Sequence, residues 1–78
     1  MAHYEIDARR LFCPMPVIRV QDQAAKSVAG DTIHMVCTDF GAESDVSAWC
    51  RVHGHRVLDI VKDDDEIRLK ILIGSSET

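Results

Sequence analysis

The stretch EIRLKILI, Glu66 to Ile73, alternates without a break. Ile67, Leu69, Ile71 and Ile73 fall on one side, and Arg68 and Lys70 on the other. Period two over such a run predicts a β-strand with one buried face and one wet face. The strand therefore needs cover on one side only. In a chain of 78 residues, which buries about 60% of the surface its unfolded form exposes, that cover must come from a few short elements nearby.

The other segments supply them. HYEID, His3 to Asp7, alternates with Tyr4 and Ile6 on one face, a short strand. From Pro14 to Ala29 the period lengthens. Val17, Val20, Ala24 and Val28 form one apolar stripe of an amphipathic helix, with Gly30 just past its end. DTIHMVCT follows as a strand, with Ile33, Met35 and Cys37 on one face and His34 exposed on the other. A second helix runs from Ala42 or Ser44 to His53. Val46, Trp49, Cys50 and His53 point inward, and Gly54 stops it. HRVLDIV and EIRLKILI pair as a hairpin around the acidic turn Asp63 to Glu66, a solvated loop end.

The predicted order is β-α-β-α-β-β. Each strand has one apolar face, so both helices cover the same side. The expected fold is a two-layer α/β sandwich with a mixed four-stranded sheet. A right-handed crossover sets the first two strands parallel. No linker, repeat or low-complexity run divides the chain, so residues 1–78 are expected to form a single domain.

Charge narrows the function. The formal net charge is −4, which argues against direct nucleic-acid binding, since that needs clustered Lys and Arg. No apolar run reaches membrane-span length, and MAHYEIDARR has no apolar signal core. A cytoplasmic location is expected. Three cysteines, Cys13, Cys37 and Cys50, are an odd number without an export signal, which speaks against a disulfide framework.

Cys37 and Cys50 fall on inward stripes and are expected in the core. Cys50, His53, His55 and Cys37 lack the paired cysteine spacing of a structural zinc site, so no metal is expected. Asp39 and Glu43 sit where negative charge favours the start of the second helix. Cys13 is different. RLFCPMPV places it at a strand-to-helix junction, as the expected N-cap, with Pro14 at N1 and Pro16 at N3. Pro14 disfavours α geometry for Cys13, and helix N-termini lower thiol pKa. Pro16 removes a further N–H, leaving mainly those of Met15 and Val17, so the expected mount is stiff and only modestly activating. The same residues admit another reading, in which Cys13 is a buried small hydrophobe and Pro14 a helix starter.

IDARRLFCPMPV, with its Asp, short run and Cys-Pro-x-Pro opening a helix, resembles the signature of the TusA/SirA family of small sulfur carriers. VCTDFGAESDVSAWC resembles the family's middle segment, and the likeness covers nearly the whole chain. The resemblance implies a sulfurtransferase that holds sulfane sulfur as a persulfide on Cys13, without a cofactor. A donor protein, a cysteine desulfurase or a rhodanese, supplies the sulfur and an acceptor protein removes it. Destinations in the family include tRNA thiolation, molybdenum cofactor assembly and sulfur oxidation. By the same resemblance Pro14 and Pro16 set the geometry of the thiol, and Asp7 supports the loop.

Two departures stand out. Arg10 occupies a position where the family often has Gly, which puts that position's backbone conformation in doubt. Arg9 and Arg10 either stabilise a sulfur anion, meet an acidic partner, or are simply solvated. Phe40 replaces a common Pro, and either packs against the entry to the second helix or serves a partner surface. A monomer is expected. The reading of another class is a non-catalytic regulatory or protein-binding module in which Cys13 is structural.

Overall fold

Six elements follow one another: β1 (His3–Ala8), α1 (Met15–Ala24), β2 (Thr32–Cys37), α2 (Gly41–Val52), β3 (Arg56–Lys62) and β4 (Ile67–Leu72). The computed structural model describes residues 2–12 and 14–74. One four-stranded sheet has the order β1-β2-β4-β3. β1 and β2 are parallel, and β4 is antiparallel to both β2 and β3. The expected mixed sheet and element order are therefore present.

Alternation decides what is buried. Ile33, Met35 and Cys37 of β2 and Ile67, Leu69 and Ile71 of β4 are sealed from solvent. Val20 of α1 and Ala42, Val46 and Cys50 of α2 complete the same cluster, so both helices lie on one face. Burying a side chain of this size contributes about 1.5–3 kcal/mol relative to exposure. The opposite face carries Glu5, Asp7, Arg68 and Lys70 and stays open. A register shift between Val57 and Asp59 leaves Leu58 as a bulged, half-exposed residue in β3.

Several sequence expectations need correction. α1 is shorter than the apolar stripe predicts, ending at Ala24 instead of Ala29. Lys26 N–H bonds the Gln23 carbonyl (3.0 Å) and Ser27 N–H the Ala24 carbonyl (3.1 Å), tightening the last turn into i→i−3 steps. The Ser27 hydroxyl also donates to the Gln23 carbonyl at 2.8 Å. Val28 is consequently not on the buried stripe but 65% exposed. Gly30 is not a helix stop, although its φ of 97° does require glycine. His53 is not inward either. It is the exposed C-cap of α2, tilted over the Trp49 ring at 5.0 Å. Gly54, at φ 78°, turns the chain as expected. His34 is half-buried instead of exposed, with the His3 ring edge-on at 4.1 Å.

The α1–β2 connection is tied down by Asp31, a buried carboxylate with no hydrophobic signature to reveal it. Its two oxygens accept the N–H groups of Ala2 (2.8 Å) and Val28 (3.0 Å). Those bonds hold its pKa below the ordinary 3.8, against the upward push of burial. The sign of the pH effect follows. A depressed folded pKa stabilises fully above the ordinary value, and the contribution is lost as pH falls through the folded one. Asp31→Asn is therefore expected to lower Tm at pH 7 by roughly 5 °C or more. The gap between variant and parent should close below about pH 4. Melting curves from pH 7 to pH 2 check this, and a pH-independent gap would contradict it.

Candidate functional site

The parallel pairing of β1 with β2 brings their C-terminal ends to one edge of the sheet. Ala8 registers with Cys37, Cys37 with Ile67, and Ile67 with Lys62. Three connections therefore meet there: the β1–α1 loop with the Cys-Pro-x-Pro sequence, the β2–α2 loop, and the acidic β3–β4 turn. Cys13 itself lies outside the described residues, and its neighbours define the setting.

The helix start is displaced by one residue from expectation. Pro14 is the N-cap of α1, Met15 is N1 and Pro16 is N2. Met15 N–H donates to the Phe12 carbonyl at 2.8 Å. Both prolines lack the donor and Met15's is used, so the first turn offers at most the N–H of Val17. Hydrogen-bonded activation of an anion is blunted further than the sequence suggests. Pro16 is fully buried and seats α1 on the core together with Val20.

Asp7 and Arg9 form a closed pair. Arg9 donates from its backbone N (3.1 Å), Nε (2.9 Å) and Nη2 (2.9 Å) to the Asp7 carboxylate. The side-chain bond from Arg9, then its backbone N–H, pull the Asp7 carboxyl down to about 2. Asp7 raises the Arg9 guanidinium in turn. Arg9 Nη1 also reaches Glu66 Oε2 at 3.5 Å, joining the β1–α1 loop to the acidic turn. Lys62 and Glu43, 2.7 Å apart, join that turn to α2. The Asp39 carboxylate accepts Gly41 N–H at 3.0 Å in a turn just ahead of α2; the N-cap itself is Phe40, without a side-chain cap bond, so Asp39 does not cap the helix as its position suggests.

Arg10 keeps a left-handed backbone, with φ 68°. The doubt that arginine raises about this conformation is resolved in favour of the conformation. Its N–H donates to Thr38 Oγ1 at 2.8 Å, fastening the β1–α1 loop to the β2–α2 loop. A β-carbon in this region costs roughly 1–2 kcal/mol. Arg10→Gly is therefore expected to leave thermal stability unchanged or raise it by up to about 1 kcal/mol, with glycine's greater unfolded freedom offsetting part of the relief. Arg10→Val should lower it. Thermal melts of the two variants give the comparison, and a destabilised Arg10→Gly would contradict it.

Phe12 and Arg19 were not legible as site elements, whereas Phe40 was a candidate partner surface. Phe12 is 73% and Phe40 57% exposed, on the two loops that the Arg10–Thr38 bond joins. Arg19 of α1 lines a cleft with Arg10, Leu11 and Thr38. The remaining described thiols are placed as predicted: Cys37 and Cys50 are buried in the core.

A motif-bearing loop at the edge of a half-covered four-stranded sheet has known counterparts. A family model described as "Sulfurtransferase TusA" matches residues 4–73. The chain belongs to the TusA family. A putative sulfur carrier protein of Neisseria meningitidis serogroup A is 35% identical over 66 residues, 85% of this chain and 89% of that protein. The putative sulfur carrier protein YrkI of Bacillus subtilis is 32% identical over 69 residues, 88% of this chain and 92% of that one. The crystal structure of a SirA-like protein from Desulfitobacterium hafniense superposes with a TM-score of 0.80 at 24% identity, over 92% of this chain and 99% of that one. It shares the fold. Membership in the TusA family gives the chain a sulfur-carrier role that requires donor and acceptor proteins. No helix among the described residues is long and apolar enough to cross a membrane.

Proposed function

We propose that the chain carries sulfane sulfur as a persulfide on Cys13 and relays it between a cysteine desulfurase or rhodanese and an acceptor protein. The observation that carries this reading is the family's Cys-Pro-x-Pro sequence at residues 13–16, on a loop braced to both neighbouring connections at one sheet edge. The Cys13 thiolate attacks the outer sulfur of the donor persulfide. The donor's S–S bond breaks and the donor cysteine leaves as a thiolate. An acceptor thiolate later attacks the same outer sulfur, and Cys13 leaves as a thiolate in its turn. Each step exchanges one S–S bond for another, so no external oxidant or cofactor is needed. tRNA thiolation, cofactor assembly and sulfur oxidation are all destinations of this chemistry.

In this reading each neighbour has a role. Pro14 and Pro16 fix the helix start, Asp7 locks the loop through Arg9, and the partners supply acid–base help. Exposed Phe12 and Phe40 suit transient contact with such partners. The protein acts as a cytoplasmic monomer of one domain, with no direct nucleic-acid role. Incubation with a cysteine desulfurase and cysteine, read by intact mass, should show one added sulfur. Alkylation should reach Cys13 in the folded protein. If the folded protein shields Cys13 from alkylation, the carrier reading fails and Cys13 is structural.

A further inference from the structure

Arginine at a left-handed position is costly where glycine would serve, and the carrier chemistry alone gives no reason for it. We propose that Arg10 and Arg19 form an anion subsite, in the cleft between the Cys13 loop and the acidic turn, for the negatively charged outer sulfur of a persulfide. The identity of the anion rests on the carrier reading; the site itself rests on the charges.

Of the three arginines that line this cleft, one is spent. Arg9 is held by Asp7 at 2.9 Å and by Glu66 at 3.5 Å. Glu66 is engaged by Arg68 as well, at 3.0 Å. Arg10 and Arg19 are both exposed and make no ion pair among the described residues. Arg10 touches Asp7 only through space. The lining acids Asp7 and Glu66 are thus matched by Arg9 and Arg68 together, while Asp65 is left to oppose the two arginines. The Thr38 bond fixes the Arg10 backbone, so its side chain leaves the loop from a set point. Leu11 lines the same cleft two residues before Cys13. The helix terminus can do little of this work, since its first turn has lost most of its donors. Persulfides are more acidic than thiols, so the outer sulfur is charged at neutral pH and needs a counter-charge. Arginine supplies one at any physiological pH.

The test compares two alkylating agents on the folded full-length chain. Iodoacetate is anionic and iodoacetamide neutral, and both attack the same thiolate. The ratio of their rates at Cys13 cancels the thiolate fraction and reports the local field. Arg10→Gly and Arg19→Gln should each lower that ratio about threefold, the order of effect that one nearby unit charge exerts in water. Added salt should erase the difference. Arg19→Lys should hold the parent ratio, and Asp65→Asn should raise it. Circular dichroism establishes that each variant is folded, and glycine is compatible with the Arg10 backbone. A ratio unchanged in both arginine variants overturns the site, and a fall in one alone overturns the pair. The measurement needs no sulfur donor. A chain that shows the ratio but takes up no sulfur keeps the anion site and loses the carrier reading. A chain that loads sulfur with an unchanged ratio does the reverse.

Discussion

Cys13→Ser is expected to abolish sulfur loading outright, while Cys50→Ser loads like the parent. The contrast comes from where the other thiols lie. Cys37 and Cys50 are 0% and 1% exposed, so no donor persulfide can reach them in the folded state. Burial pushes both thiols up, Cys50 to about 11. At neutral pH only about one Cys50 in ten thousand would be a thiolate. The Cys37 thiol is further committed to the Ile67 carbonyl at 3.7 Å. Serine at position 13 offers a hydroxyl that stays protonated and does not attack sulfane sulfur. Serine at position 50 buries a hydroxyl among apolar neighbours, which should cost about 1–3 kcal/mol of stability. Cys50→Ser should therefore melt earlier yet still gain one sulfur below its Tm. Intact mass after treatment with desulfurase and cysteine reads both variants. Sulfur on Cys13→Ser would place the carrier thiol elsewhere.

Period-two and period-3.6 patterning made most of the fold legible. β4 could be read residue by residue because Arg68 and Lys70 alternate with Ile67, Leu69 and Ile71. The length of α1 could not. Its apolar stripe continues through Val28, but the Ser27 hydroxyl bond and two short i→i−3 steps end the helix first. Local polar competition of this kind leaves no mark on hydrophobic period. Asp31 was silent for a similar reason, since its value lies in two backbone donors, one local at Val28 and one from the distant Ala2. His53 was misplaced because helical spacing does not say that the helix ends one residue earlier.

The site divides along the same line. Cys13, Pro14 and Pro16 announce themselves by sequence, and Asp7 does as a loop support, but its pairing with Arg9 comes only from the structure. Long-range placement does not. Arg19 enters the cleft from a helix, and Glu66 reaches Arg9 from the last hairpin. Nothing in the sequence links residue 19 to residue 10, or residue 66 to residue 9. The one-residue slip in the helix cap has a sharper consequence. With Pro14 as cap and Pro16 at N2, the helix terminus contributes less to anion binding than a Cys13 cap would have allowed. Counter-charge then has to come from side chains, and among the described residues Arg10 and Arg19 are the cations of that cleft without an ion pair.

Leu69→Ala should be the most damaging single change in the core. Leu69 is 1% exposed in β4, an inner strand, and registers with Met35 on one side and Ile60 on the other. Both neighbours are fixed by strand hydrogen bonds, so the vacated space cannot easily collapse. Truncations of this kind cost about 2–5 kcal/mol, the higher end applying where the cavity persists. Native stabilities are only about 5–15 kcal/mol, and a chain this small sits toward the lower end. For a domain of this size each kcal/mol moves Tm by about 4–8 °C, so a fall of roughly 10–30 °C is expected. Leu58 provides the control. It is the same residue type on the adjacent strand, but the bulge leaves it 45% exposed. Leu58→Ala should cost less than about 1 kcal/mol. Urea unfolding of both variants, with unchanged m-values, separates the two. Equal losses at positions 58 and 69 would contradict the burial pattern on which the sheet's covered face is assigned.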